Sequence, residues 1–197
     1  MAMPDRTLAE HVSAVTTPYL TVPAFILLAG LAFVTDLEEI MLYGAIAVGF
    51  TVGIPMAYAQ HLTRQGRVDS IHIYDQRARL APLALTGASS MVGLGILYLV
   101  EAPDGILRLA VLLFLMAGAT LAATTVLKIS GHVSSWSAGS TVAVVLHGPL
   151  ALPLLLGALP IGWSRLELGR HRPVEVVVGF LYGILSAAAL SLLVGIA

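Results

Sequence analysis

The stretch VSSWSAGSTVAVVLHGPLALPLLLGALPIGW, residues 133–163, decides how the chain is folded. One straight helix of that length would run ~46 Å at 1.5 Å per residue, well beyond the ~30 Å hydrocarbon core of a bilayer. Two complete crossings would each be short. His147-Gly148-Pro149 sits at its middle, and Pro153 follows. Gly-Pro breaks helices, because proline lacks an N–H and its ring clashes with the preceding turn. The stretch is therefore read as two short helices joined at 147–149, a shallow hairpin.

Working outward, apolar runs long enough to cross a membrane cover residues 18–35, 40–60, 83–100, 106–127 and 173–197. Asp36, Glu38 and Glu39 end the first run. Pro173 suits the first turn of the last helix. Three polar blocks interrupt the runs: residues 61–82, the Lys128-Ile129-Ser130-Gly131-His132 segment, and residues 164–172. The expected fold is all-α, a polytopic bundle of six or seven spans, and residues 1–197 form one domain. The first ten residues carry Arg6 against Asp5 and Glu10, so a cleaved signal with a basic start is not expected.

Composition supports this layout. Of 197 residues, 58% are hydrophobic and 11% charged. A soluble domain uses roughly 25% charged residues to cover its surface. The balance excludes an ordinary soluble globule, a disordered chain and a nucleic-acid binder. With no cysteine, thiol catalysis and Cys-ligated metals are excluded too. The hairpin puts nine of the ten Lys+Arg on one face, with only Arg108 on the other. By the positive-inside rule that face is cytoplasmic, which places the chain in a cell (inner) membrane as a multi-pass protein.

All three polar blocks open on that face. Together they hold Arg77, Arg79, Lys128, Arg165, His132, His171 and Glu175. Several cations beside two histidines in a low-dielectric wall make an anion site with acid–base capacity. Phosphate is the expected anion, since Arg forks onto its oxygens and Lys acts as a compact charge. Ser130 and Gly131, just before a new helix, would add backbone N–H groups.

The spacing carries a family resemblance. Ser164-Arg165, five residues, His171, three residues and Glu175 resemble the SRxxxxxHxxxD signature of the type 2 phosphatidic acid phosphatases. Ser130-Gly131-His132 matches the end of their PSGH signature, and residues 75–82 resemble a divergent form of their KxxxxxxRP motif. Ile129 replaces the family's proline, Glu175 its aspartate, and the first motif lacks its lysine and its Arg-Pro pair. Two spans separate the first and second motifs, more than in the better-known layout. The resemblance implies a lipid phosphate phosphatase without metal or cofactor. It implies that His171 attacks phosphorus, Glu175 orients His171, and His132 serves as acid and then base. Arg165, Arg77, Arg79, Lys128, Ser130 and Gly131 would bind phosphate. The partners implied are a lipid phosphate and membrane lipids.

Other readings stand beside it. An alcohol acceptor in place of water would make a phosphotransferase. A cationic cluster used only for binding would make a transporter of phosphate-bearing molecules. Asp69, His72 and Asp75 share a helical spacing of three and could hold a divalent ion, although a salt-bridged loop is preferred. Asp75 could equally pair with Arg79 at i,i+4. Arg64, Arg67, Arg170 and Arg172 are expected to snorkel to headgroups. His61 and His147 match no motif, and Trp136 and Trp163 are read as an interfacial belt.

Overall fold

The computed structural model describes residues 4–68, 70–73 and 75–196. Among them every regular element is helical, and no strand occurs. The order is α1 (Pro4–Val15), α2 (Pro18–Gly30), α3 (Leu37–Val48), α4 (Ile54–Arg64), α5 (Leu80–Leu99), α6 (Asp104–Val126), α7 (Gly131–His147), α8 (Ala158–Glu167) and α9 (Pro173–Val194).

Five continuous stretches are long and apolar enough to cross a membrane: Leu37–Arg64, Leu80–Leu99, Asp104–Val126, Pro149–Glu167 and Pro173–Val194. A sixth crossing forms if α1 and α2, bent by 44°, act together. Helix α1 was not foreseen in the sequence. It packs its buried Ala9 and Ser13 side against α8, and Pro18 starts α2 after the break. Asp36, Glu38 and Glu39 open α3: the Asp36 carboxylate accepts the N–H groups of Glu38 at 2.9 Å and Glu39 at 3.2 Å.

A π-helical turn, Gly49–Gly53, joins α3 to α4 without breaking the rod. Such a turn disturbs the regular backbone ladder. Here the Phe50 carbonyl accepts the Ser89 hydroxyl of α5 at 2.6 Å.

The hairpin expected in residues 133–163 is present, with its tip at Gly148 (φ +78), a backbone conformation that favours glycine. It is deeper than expected. The return arm begins as a 3-10 helix, Pro149–Gly157, before continuing into α8. A 3-10 helix rises ~2.0 Å per residue against ~1.5 Å, so the 19-residue arm reaches ~33 Å, long enough for the core. Trp136 ties the hairpin together. Its indole N–H donates to the Leu154 carbonyl at 2.7 Å, bridging the two arms inside the bundle. Trp163 is partly exposed, at 37%.

Helix α7 has more buried residues than any other described helix and lies against α9, α2 and the return arm. The α9 face that meets it reads Glu175, Gly179, Gly183, Ala187 and Ser191, one residue per four, all buried. Small residues at that spacing let two backbones approach closely within a bilayer. The opposite side of α9 exposes Val177, Leu181, Leu185 and Leu192, as a lipid-facing surface should. Helices α5 and α6 form a second packed group, which joins the first mainly through α6 on α9 and α2 on α3.

The α7–α9 seam sets a test. A Cβ on Gly183 would lie 2.5 Å from the Ser134 carbonyl oxygen and 3.0 Å from the Ala138 nitrogen, both backbone atoms. Gly183→Ala should cost about 1–3 kcal/mol, read as a lower melting temperature in detergent. Gly118→Ala, where a methyl meets nothing within 4 Å, should leave the melting temperature unchanged or raised.

Candidate active site

Three inter-helix segments meet at one end of the bundle: the α4–α5 loop, the α6–α7 turn and the α8–α9 turn. Each is short of regular backbone partners, and side chains tie them together. Gln76 donates from Nε2 to the Thr124 carbonyl at 2.7 Å, pinning the first loop to the end of α6. Arg79 donates from Nε to Ile73 O at 2.6 Å and from a terminal nitrogen to Ile129 O at 3.3 Å. The Ser130 N–H donates to the Glu175 carbonyl at 3.2 Å, joining the second block to the third.

Glu175 lies in the first turn of α9 and is 5% exposed. Its Oε2 receives His171 Nδ1 at 2.9 Å and the Arg172 N–H at 3.3 Å, while Oε1 receives Arg172 Nε at 3.0 Å. Lys128 Nζ stands 3.9 Å from Oε2. Arg172, expected to reach headgroups, is bound here through Nε. The His171 ring therefore has Nδ1–H held by a carboxylate and Nε2 left with its lone pair. Burial pushes the His171 pKa down to about 4; the Glu175 hydrogen bond raises it, and Arg79 and Arg165 lower it. With that shift the ring is neutral at physiological pH, its Nε2 lone pair free of a proton.

Arg165 is 2% exposed near the end of α8, and one of its terminal nitrogens donates to the Ser13 hydroxyl of α1. Ser164 bonds back to the Ile161 carbonyl at 2.8 Å, a structural role within the helix. His132 is buried in the first turn of α7, and its Nε2 has no hydrogen-bond partner among the described residues. The Ser130 hydroxyl is likewise buried and unpartnered. The first N–H groups of a helix lack intrahelical acceptors, and Gly131 brings that end of α7 to the cavity wall. The Ser130 N–H expected to join them is spent on Glu175.

A cavity of about 350 Å³ opens here. Arg79, Gly131, His132, Arg165 and His171 line its polar end. Arg77, expected beside Arg79, is exposed and lies outside the lining, as does Lys128. Glu175 and Ser130 stand behind the wall.

Two further residues belong to the site. The His72 ring meets the His132 ring edge-on at 5.4 Å between centroids, and Tyr19 stacks on His72 at 6.0 Å. The Tyr19 hydroxyl donates to Ile71 O at 2.8 Å. Burial lowers the His72 pKa, with Arg165 and Arg170 adding to it. No spacing rule links Tyr19 or Ser13 to the motifs, since both reach the site from the N-terminal helices. Asp75 accepts the Ala78 N–H at 2.8 Å. Asp69, grouped in sequence with His72 and Asp75, lies outside the described residues. Among those described, no three His, Asp or Glu side chains gather as metal ligands. His147 bonds Leu28 O at 2.9 Å near the hairpin tip, and His61 bonds Gln65 at 2.9 Å.

No protein-family profile, curated protein or solved structure matches the chain significantly.

The His171 environment is directly measurable. Its NMR titration midpoint should lie near 4 and drop further in Glu175→Gln, which removes the carboxylate charge that helps to raise it. Because the unfolded chain takes up this proton first, stability should fall as pH drops from about 6.5 toward 4. A His171 midpoint near 6.5 would contradict the burial.

Proposed function

We propose that this chain is an integral-membrane lipid phosphate phosphohydrolase that works through a phosphohistidine on His171. One observation carries the reading: His171, braced by a buried carboxylate, shares a cavity wall with His132, Arg165 and Arg79 at the polar end of an apolar bundle. The resemblance of residues 130–132 and 164–175 to phosphatidic acid phosphatase motifs points the same way.

The chemistry follows from the bonding. His171 Nε2 attacks phosphorus, forming an N–P bond as the bond to the lipid oxygen breaks. Glu175 keeps Nδ1–H in place and steadies the positive charge that grows on the ring. Arg79 and Arg165 hold the phosphoryl oxygens, and the N-terminal turn of α7 adds N–H donors. His132, in its protonated form, gives a proton to the departing lipid alkoxide, then regains one from the water that displaces phosphate from Nε2. This reading needs neither metal nor cofactor. With nine of the ten cations on the site's side by the sequence layout, the site faces the cytoplasm of an inner membrane.

Purified protein in detergent with a chelator should release phosphate from lipid monophosphates or diphosphates. His171→Ala and His132→Ala should each lower the rate by about a hundredfold or more, with melting temperatures retained. Release that survives both substitutions overturns the mechanism. Transfer of phosphate to added alcohol would identify a phosphotransferase. Binding of lipid phosphate without turnover would favour a transporter.

A second measurement tests the side. The chain has no native cysteine, so single cysteines placed in the 168–172 turn and beside Lys128 should react with an impermeant reagent from the same, cytoplasmic, side.

A further inference from the structure

The cavity does not stop at the phosphate-binding end. It continues between the two packed helix groups and is bounded by α2, α4, α5, α6 and α7. Below the polar end its wall is mainly apolar, with Phe25, Leu83, Leu113 and Met116 among the larger residues, and Thr120 and Tyr182, bonded to each other at 3.0 Å, among the few hydroxyls. Small residues, Ala117 and Ala138, keep it open from opposite helices. Its deep end is lined by Ala29, Leu109, Leu112 and Val142. These same residues belong to a packed cluster with Ile196, so the cavity ends on a solid floor.

Its depth follows from the helices beside it. His132 at the polar end and Val142 at the floor are ten residues apart on α7, ~15 Å of helix. Thr124 and Leu109 are fifteen residues apart on α6, ~22 Å. A chain of single bonds extends ~1.2 Å per bond, so this depth accepts roughly twelve to eighteen bonds. Its mainly apolar lower part favours hydrocarbon over water.

We propose that the cavity receives one linear hydrocarbon tail of limited length below a phosphate head, and that the floor at Ala29, Leu109 and Val142 sets that length. The inference rests on the phosphohydrolase reading for the fate of the head, but not for the seat of the tail. Charge complementarity fixes the orientation: Arg79 and Arg165 take the anionic end, and the lining beneath them carries no charged side chain. A volume of about 350 Å³ suits one such tail rather than two. A much longer isoprenoid chain would strike the floor. Selection by shape is what this setting demands, because hydrocarbon gains little by leaving one apolar surrounding for another.

The test is a series of linear alkyl monophosphates from about eight to about twenty-four carbons, compared with dialkyl phosphatidic acid. For the wild type, kcat/KM should rise with length and fall at least tenfold beyond about eighteen carbons. The two-tailed lipid should be at least tenfold poorer than the best single chain. Ala138→Leu should move the break to shorter chains and Leu109→Ala to longer ones, with folding checked by melting temperature. A flat profile, a break that neither substitution moves, or equal use of the two-tailed lipid overturns the proposal.

A binding arm separates this from the phosphatase reading. Phe25 lines the cavity and meets Trp136 edge-on at 5.4 Å between centroids. In Trp163→Phe protein, which leaves Trp136 as the only tryptophan, a tail-brominated alkyl phosphonate should quench fluorescence saturably. Unbrominated alkyl phosphonate should relieve the quenching, and phosphatidic acid should not. Quenching without any phosphate release would keep the tail site and sink the phosphatase. Phosphate release without quenching would do the reverse.

Discussion

Glu175 is the residue on which the polar end of this bundle depends. A carboxylate 5% exposed in an apolar bundle must be surrounded by donors, or its burial is too costly to sustain. Here it takes the His171 ring, both Arg172 donors and the Lys128 charge, while its own carbonyl takes the Ser130 N–H. One residue thus joins the turn before α7 to the turn before α9. It also begins the ladder of small residues that lets α9 lie against α7. Local charge satisfaction and helix packing share a single register, so a shift of α9 by one residue would disturb both.

The cavity follows from the same constraint. Close α7–α9 packing draws one helix group together, and α5 against α6 draws the other. The groups meet at their edges, through α6–α9 and α2–α3, and the space between them remains. Polar turns close one end because three loops converge there. A packed apolar cluster closes the other. The resulting volume is amphiphilic along its length, as a lipid is.

Much of the site could be read in the residues. His171 and Glu175 are four apart, one helical turn, so their pairing follows once Pro173 starts a helix near them. Arg165 and His132 came from motif spacing, and both line the cavity. Local spacing failed where the partner is far along the chain. Arg77 and Arg79 are two residues apart, and nothing in the sequence says which turns inward. The carbonyls of Ile73 and Ile129 decide it by accepting from Arg79. Ser13, Tyr19 and His72 were missed as members of the site for the same reason. The α1 helix that carries Ser13 is too polar to register as a span. The Trp136 indole N–H meets the Leu154 carbonyl, a partner eighteen residues away that composition does not reveal.

The sequence by itself determined an all-helical membrane bundle, the polar segments between its spans, and the hairpin broken at Gly148. These depend on hydrophobic run length and on proline and glycine chemistry, which act within a few residues. The tertiary structure alone decided the hairpin's depth, the Arg that faces inward, the N-terminal helix that braces Arg165, and the cavity beneath the site. Each of these arises from contacts between residues tens of positions apart, where close backbone approach and buried hydrogen bonds select one arrangement among several that local pattern allows.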